Sequence, residues 1–164
     1  MSTLEVKAIQ APTGYDLQMP AGHILQTVTQ TYSTPTSINS TSFTSTGLTK
    51  SITPTSTSSK ILVIVNLAAE TFQQGNAANK FYLQLLRDST QIVYRRHDSY
   101  AGVATNGYYS FSINGNIAYL DSPSTTSSVT YALNTKCDAT TNSFTVRCQD
   151  ANSHSTITLM EVAG

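Results

Sequence analysis

The sequence predicts an all-β protein, a β-sandwich or jelly roll, and three observations carry that expectation. Apolar residues recur with period two along most of the chain and almost nowhere with period 3.6. The periodic runs are short, about eight to ten in number, and clusters of Gly, Pro, Asn and Ser separate them. No stretch reads as a convincing helix: residues 68 to 80 (AAETFQQGNAANK) have room for one helical turn, but Gly75 and Asn76 favour a loop.

The elements follow in order. In residues 1 to 21, Pro12, Gly14 and Pro20 break any regular element, so a short irregular arm is expected ahead of a domain over residues 22 to 164. The arm carries Leu4, Val6, Ile9, Tyr15 and Leu17, which suit docking on another chain better than forming a core of their own. Residues 22 to 53 read as strands and long surface connections, with Pro35 and Pro54 marking turns or edges. Their Ser/Thr-rich tract belongs to the domain, because Ile38, Phe43, Leu48 and Ile52 recur too regularly for a free linker and Thr suits a pleated surface.

Three strands are apolar on both faces. Ile61, Val63, Val65 and Leu67 oppose Leu62 and Ile64; Phe81, Leu83 and Leu85 oppose Tyr82 and Leu86; Ile157 and Leu159 oppose Met160 and Val162. One face of each fits the opposite sheet, and the other calls for a neighbouring subunit or a covering segment. Leu62, Ile64, Tyr82, Leu86, Ile157, Leu159 and Met160 are therefore candidates for a subunit interface or the core. Residues 107 to 120 (GYYSFSINGNIAYL) read as a hairpin turning at Asn114-Gly115. Val129, Tyr131 and Leu133 mark another half-buried strand, and Phe144, Val146 and Cys148 one more.

Composition narrows the function. Of 164 residues, 47 are Ser or Thr, so hydroxyls rather than charges carry much of the solvated surface. Nine basic residues balance nine acidic ones, which leaves no electrostatic footprint for nucleic acid or an anionic membrane. The start, MSTLEVKAIQ, lacks the pattern of an export signal, and the longest aliphatic run, Ile61 to Val65, is too short to span a bilayer. Cys137 and Cys148 flank a turn-rich stretch that could bring them within bonding distance, but the phase of Cys148 favours a buried free thiol.

Signs of chemistry are sparse. The phosphate-loop, HExxH and GxSxG patterns are missing, and Asp88, Asp98, Asp121, Asp138 and Asp150 all read as turn residues serving the backbone. His23, His97 and His154 lack the close spacing of many metal sites. No enzyme, metal or cofactor is expected. YRRHDSY, residues 94 to 100, is the dense charge cluster, in which Arg95, Arg96, His97 and Asp98 could meet a receptor or partner; the plainer reading is a solvated hairpin end. Tyr94, Tyr100, Tyr108, Tyr109 and Tyr119 suit an interface or, less readily, a sugar platform.

MPAGHILQTVTQTY, STSFTSTGLTKSITPTSTSSKILVIV and STITLMEVAG together resemble a group of bacteriophage virion proteins, over nearly the whole chain from Pro20 onward. The resemblance implies a jelly roll similar to tumour necrosis factor and complement globular heads, folds that usually form trimers. It implies a virion structural protein assembled in the bacterial host cytoplasm, with reduced cysteines and no catalytic residues. The expected partners are the chain itself, as a homotrimer, and a phage capsid or another virion protein reached through the arm. A fibre chain usually carries a long repetitive shaft, so a capsid decoration, or cement, protein is the preferred role. A fibre module binding a host-surface receptor or glycan is the alternative.

Overall fold

The computed structural model describes residues 19–75, 77–101 and 107–164. Ten strands and a single 3₁₀ turn at Thr141–Ser143 account for its regular structure, with no α-helix among the described residues. The strands are β1 (Ile24–Tyr32), β2 (Thr36–Ile38), β3 (Thr44–Ile52), β4 (Lys60–Gln74), β5 (Ala77–Arg87), β6 (Thr90–Ala101), β7 (Tyr108–Asp121), β8 (Val129–Cys137), β9 (Thr145–Cys148) and β10 (Ser155–Val162).

They form two antiparallel sheets. In the first, β7 covers one edge of β4 from Ile61 to Gln74, so β10 (against Lys60–Asn66) and β9 (against Ala69–Phe72) share the other edge. β1 continues the sheet beyond β10, and β2 continues it beyond β9. Two of the four strand positions are thus each filled by a pair of short strands in line. The second sheet runs β3-β8-β5-β6. Two facing sheets of four positions, wound through long-range antiparallel pairs, make a jelly-roll sandwich.

Alternation decides which residues meet between the sheets. Ile61, Val63, Val65 and Leu67 of β4, Phe81, Leu83 and Leu85 of β5, and Ile157 and Leu159 of β10 are all fully buried or within a percent of it. Tyr131, Leu133, Phe144, Val146, Cys137 and Cys148 join them. Ile157 and Leu159, candidates for an interface or the core, therefore belong to the core. Both cysteines are buried free thiols. Burial pushes the Cys137 thiol up and the Cys148 thiol to about 12, so neither is an ionised nucleophile at neutral pH.

The Ser/Thr tract is part of the sandwich: Ile38, Leu48 and Ile52 are buried, and β3 pairs with β8. Its register shifts between Ser45 and Thr49, and Gly47 lies in that irregularity with φ +84°. A Cβ at Gly47 would sit 2.2 Å from the Tyr32 ring, so both backbone and packing require glycine there.

Three sequence expectations are corrected. Residues 107 to 120 are not a hairpin: β7 runs without a turn through Asn114-Gly115 and pairs with β4 throughout. Gly115 is buried there, with a Cβ position 2.9 Å from Leu83 Cδ1 and 3.2 Å from Leu67 Cδ2, so close packing rather than a turn explains the glycine. Residues 68 to 80 are not mainly loop, since β4 extends to Gln74, turns at Gly75, and β5 starts at Ala77. YRRHDSY is not a hairpin end but lies within β6, an edge strand whose exposed charges oppose edge-to-edge pairing.

Two polar clasps hold one end of the sandwich, where Asp121 and Glu161 flank Ile61 from either side. Arg87 Nη1 donates to both oxygens of Asp121 at 3.0 and 2.9 Å, and Tyr131 Oη donates to Asp121 Oδ2 at 2.7 Å. Burial first, then that hydrogen bond to Asp121, raises the Tyr131 phenol well above its ordinary range. Glu161, fully buried, accepts from Gln26 Nε2 at 2.6 Å and from the Thr55 amide and hydroxyl at 2.7 Å each. Burial raises its carboxyl, but these donors outweigh that and hold it below the ordinary value.

Candidate functional site

Cross-strand partners share a face, so the registers give the outer surface of the first sheet directly. At one end, Leu62 of β4 lies between Leu120 of β7 and Met160 of β10, Ile64 lies beside Ala118, and Val162 faces Ile24. Leu120 is 48% exposed and Ile24 56% exposed, while Leu62, Ile64 and Met160 are half-buried. No carboxylate or guanidinium points outward between these positions, and Lys60 stands at the margin. Leu120, Leu62, Met160, Val162 and Ile24 thus run as an apolar patch across four adjacent strands, bordered by Thr27, Thr158 and Lys60, of the kind that marks a protein contact.

The other end of the same face is polar and aromatic. Glu70 and Phe72 of β4 point outward there, next to Arg147 of β9 and Ser110 of β7. Arg147 Nη1 lies 3.2 Å from Glu70 Oε1 and 3.8 Å from Asp150 Oδ2, and Ser110 Oγ donates to Glu70 Oε2 at 2.7 Å. The guanidinium stands 4.2 Å from the Phe72 ring centre, and Tyr108 stacks on Phe72 at 5.2 Å. Beside them opens a cavity of about 280 Å³, lined by Glu70, Arg147, Asp150, Ser112, Asn114 and Ser153 among others.

The outer face of the second sheet carries Tyr82 and Leu86, well away from Leu62, Ile64 and Met160. Tyr82 stacks on Tyr94 at 5.5 Å, Phe43 meets Tyr94 edge-on at 6.2 Å, and Lys136 Nζ lies 4.9 Å from Phe43 and 5.3 Å from Tyr82. One stacked pair and one edge-on contact make an aromatic ridge, on which Tyr94 stays 49% exposed. The candidate interface residues consequently fall into three groups: the core, the apolar end of the first sheet, and this ridge.

The tetrad in β6 is also divided by alternation. Arg96 and Asp98 point outward and pair with each other at 3.0 Å. Arg95 and His97 point to the inner side at the sheet edge, where His97 stacks on Phe81 at 4.8 Å. Burial lowers the His97 pKa, Arg95 lowers it further, and Asp98 acts in the opposite sense. The four residues form no convergent site. Leu4, Val6, Ile9, Tyr15 and Leu17 lie outside the described residues.

Of the aspartates, Asp88, Asp138 and Asp150 do serve backbone amides, accepting from Thr130, Lys80 and Ala151. Asp121 instead anchors the buried Arg87–Tyr131 clasp, and Asp98 lies in a strand. Among the described residues no group of three or more His, Cys, Asp or Glu converges in a way that would hold a metal ion. No helix among the described residues is long and apolar enough to cross a membrane. Sequence reasoning missed Ile24, Leu120 and the Glu70–Arg147 cluster. The pairing that brings residues 70, 110 and 147 together joins strands up to 77 positions apart, and no local pattern announces it.

No family profile matches this chain, and no curated protein sequence matches it. Among solved structures it is similar to a chain of the T13 viral particle of infectious bursal disease virus, at 10% identity and TM-score 0.38, over 96% of this chain and 40% of that one. It is also similar to the Gx strain of that virus, at 11% identity and TM-score 0.37, over 94% of this chain and 40% of that one. A third match is the VP2 subviral particle of infectious bursal disease virus, at 15% identity and TM-score 0.32, over 93% and 46% of the two chains. This chain spans less than half the length of each. Its fold assignment rests on the strand order and registers given above.

Proposed function

We propose that this chain is a non-enzymatic virion structural protein, a capsid decoration protein of a bacteriophage, that assembles as a homotrimer. The observation that carries the reading is the apolar end of the outer face around Leu62, Ile64, Met160 and Leu120. A stable jelly roll has no need of an oily surface on its solvent side, whereas identical copies that pack against it do. Each ~100 Å² of such surface removed from water stabilises association by roughly 2.5 kcal/mol before ordering costs. The resemblance of residues 19–32, 40–65 and 155–164 to phage virion proteins supplies the setting, a particle assembled in the host cytoplasm. Attachment to the capsid or another virion protein is assigned to residues 1–21, through Leu4, Val6, Ile9, Tyr15 and Leu17.

The test is location. Gold-labelled antibody against this protein should mark the heads of intact particles, and labelled heads should persist after the tails are removed. Deleting residues 1–21 should leave the oligomer intact and abolish attachment to particles. Label confined to tails or fibres would contradict the decoration role, as would a truncated protein that still binds heads. A second reading, a fibre module that recognises a host-surface receptor or glycan, is favoured by one feature, the polar cleft beside Arg147.

A further inference from the structure

We propose that the cleft between Glu70, Arg147 and Asp150 binds a neutral saccharide, one or two rings at the end of a glycan. This deepens the second reading above and leaves the assembly reading independent, since the cleft lies at the opposite end of the face from Leu62 and Leu120.

The cleft is built before any ligand arrives. Arg147 is held by Glu70 and Asp150 on its polar edge and by Phe72 on its flat face, and Glu70 is held in turn by Ser110. Side chains fixed in this way lose little rotamer freedom on binding. The turn that supplies Asp150 is itself strained: Gln149, Ala151 and Asn152 adopt φ of 56°, 51° and 63° without being glycine. Backbone of this kind concentrates at ligand sites. Gln149 pins the turn from inside, its amide N–H donating to Ala68 O at 3.0 Å and its Nε2 to Ser155 Oγ at 2.8 Å.

The chemistry of the walls selects the ligand class. Two carboxylates face one guanidinium, so the cleft repels phosphate, sulfate and carboxylate groups. Glu70 and Asp150 offer acceptors, Arg147 offers donors, and Asn114 and Ser112 offer both, the mixture that vicinal hydroxyls use. Tyr108, stacked on Phe72 and 63% exposed, stands outside the cavity wall, four residues along β7 from Ser112, and offers an aromatic surface for the C–H face of a second ring that extends from the cleft. At about 280 Å³ the cavity lies just below the usual range of about 300–1,000 Å³ for small-molecule sites, which suits a terminal unit rather than a long chain.

The test uses the full chain on an array of immobilised oligosaccharides ending in glucose, galactose, mannose, N-acetylglucosamine or sialic acid. Binding is expected to at least one neutral terminus and to none of the sialylated ones. Glu70→Gln, which keeps the side-chain shape, and Tyr108→Ala should each weaken that binding at least tenfold, while Arg95→Ala leaves it unchanged. An NMR titration with the free sugar should shift amides of residues 70, 108–114 and 147–153. Absence of any sugar binding, preference for sialylated termini, undiminished binding by both variants, or shifts centred on Tyr82 and Tyr94 would overturn the proposal. Oligomeric state, measured on the same samples, reports separately on the assembly reading.

Discussion

Strand β4 crosses the outer face of the first sheet with two different characters. From Lys60 to Ile64 its outward residues are Leu62 and Ile64, flanked by Leu120, Ala118 and Met160. From Glu70 to Gln74 they are Glu70, Phe72 and Gln74, flanked by Ser110, Tyr108 and Arg147. The inward residues change along the strand as well, from Ile61, Val63, Val65, Leu67 and Ala69 in the apolar core to Thr71 and Gln73, both fully buried and hydrogen-bonded to Ser99 and Asn79 respectively. The buried polar groups are satisfied by partners inside the sandwich, whereas the outward side chains face solvent and are free to vary. The variation therefore reports on contact: one end suits an apolar partner surface, and the other suits a polar ligand held by preset charges.

The largest expected effect separates the two sides of the apolar end. Leu159→Asp would place a charge among Ile61, Val63 and their neighbours, at a cost of several kcal/mol, and should unfold the protein in circular dichroism. Leu62→Asp lies on the outer face and should leave the fold intact while releasing the oligomer. Equal loss of fold in both variants would erase the distinction between core and contact surface.

Glu161 sharpens the picture of that same end, because it accepts from Thr55 directly and from Gln26, which in turn donates to Thr53 O. Its carboxyl pKa is lowered in the folded state, so its contribution is fully present above the ordinary value of 4.5 and is lost as pH falls through the lower folded value. Glu161→Gln should cost roughly 1.5–3 kcal/mol near neutral pH and flatten the stability profile in this acidic window. A denaturation series in which wild type and variant keep parallel profiles would remove Glu161 from the account.

Gly115 stands where β7 passes from the apolar end to the polar end. Gly115→Ala should destabilise by about 1–3 kcal/mol through overpacking against Leu83 and Leu67. In a Leu83→Ala background part of that penalty should vanish, a coupling that a turn glycine would not show. The smallest effect belongs to the exposed Arg96–Asp98 pair of the second sheet, where Arg96→Ala should change stability by less than about 1 kcal/mol and leave both ends of the face unaltered.

The fold class was legible because alternation is local. Val63 against Leu62, Phe144 against Thr145 and Leu159 against Met160 each sort to a face from their immediate neighbours. Asn114-Gly115 misled because a turn dipeptide and a close-packed strand glycine look alike until Leu83 is placed over it. The apolar end was half legible: Leu62, Ile64 and Met160 break the polar alternation of an exposed face, whereas Ile24 and Leu120 become part of it only through pairing. The cleft was not legible, since Glu70, Arg147 and Asp150 are ordinary surface residues until β9 and the following turn bring them together beside β4.

Sedimentation equilibrium of the full chain, compared with a Leu62→Asp/Met160→Asp variant, addresses the central claim most directly. A trimer for the wild type and a folded monomer for the variant is the predicted result. A wild-type protein that remains monomeric at high concentration, or a variant that still sediments as the trimer, would contradict the assignment of this face as the contact between copies.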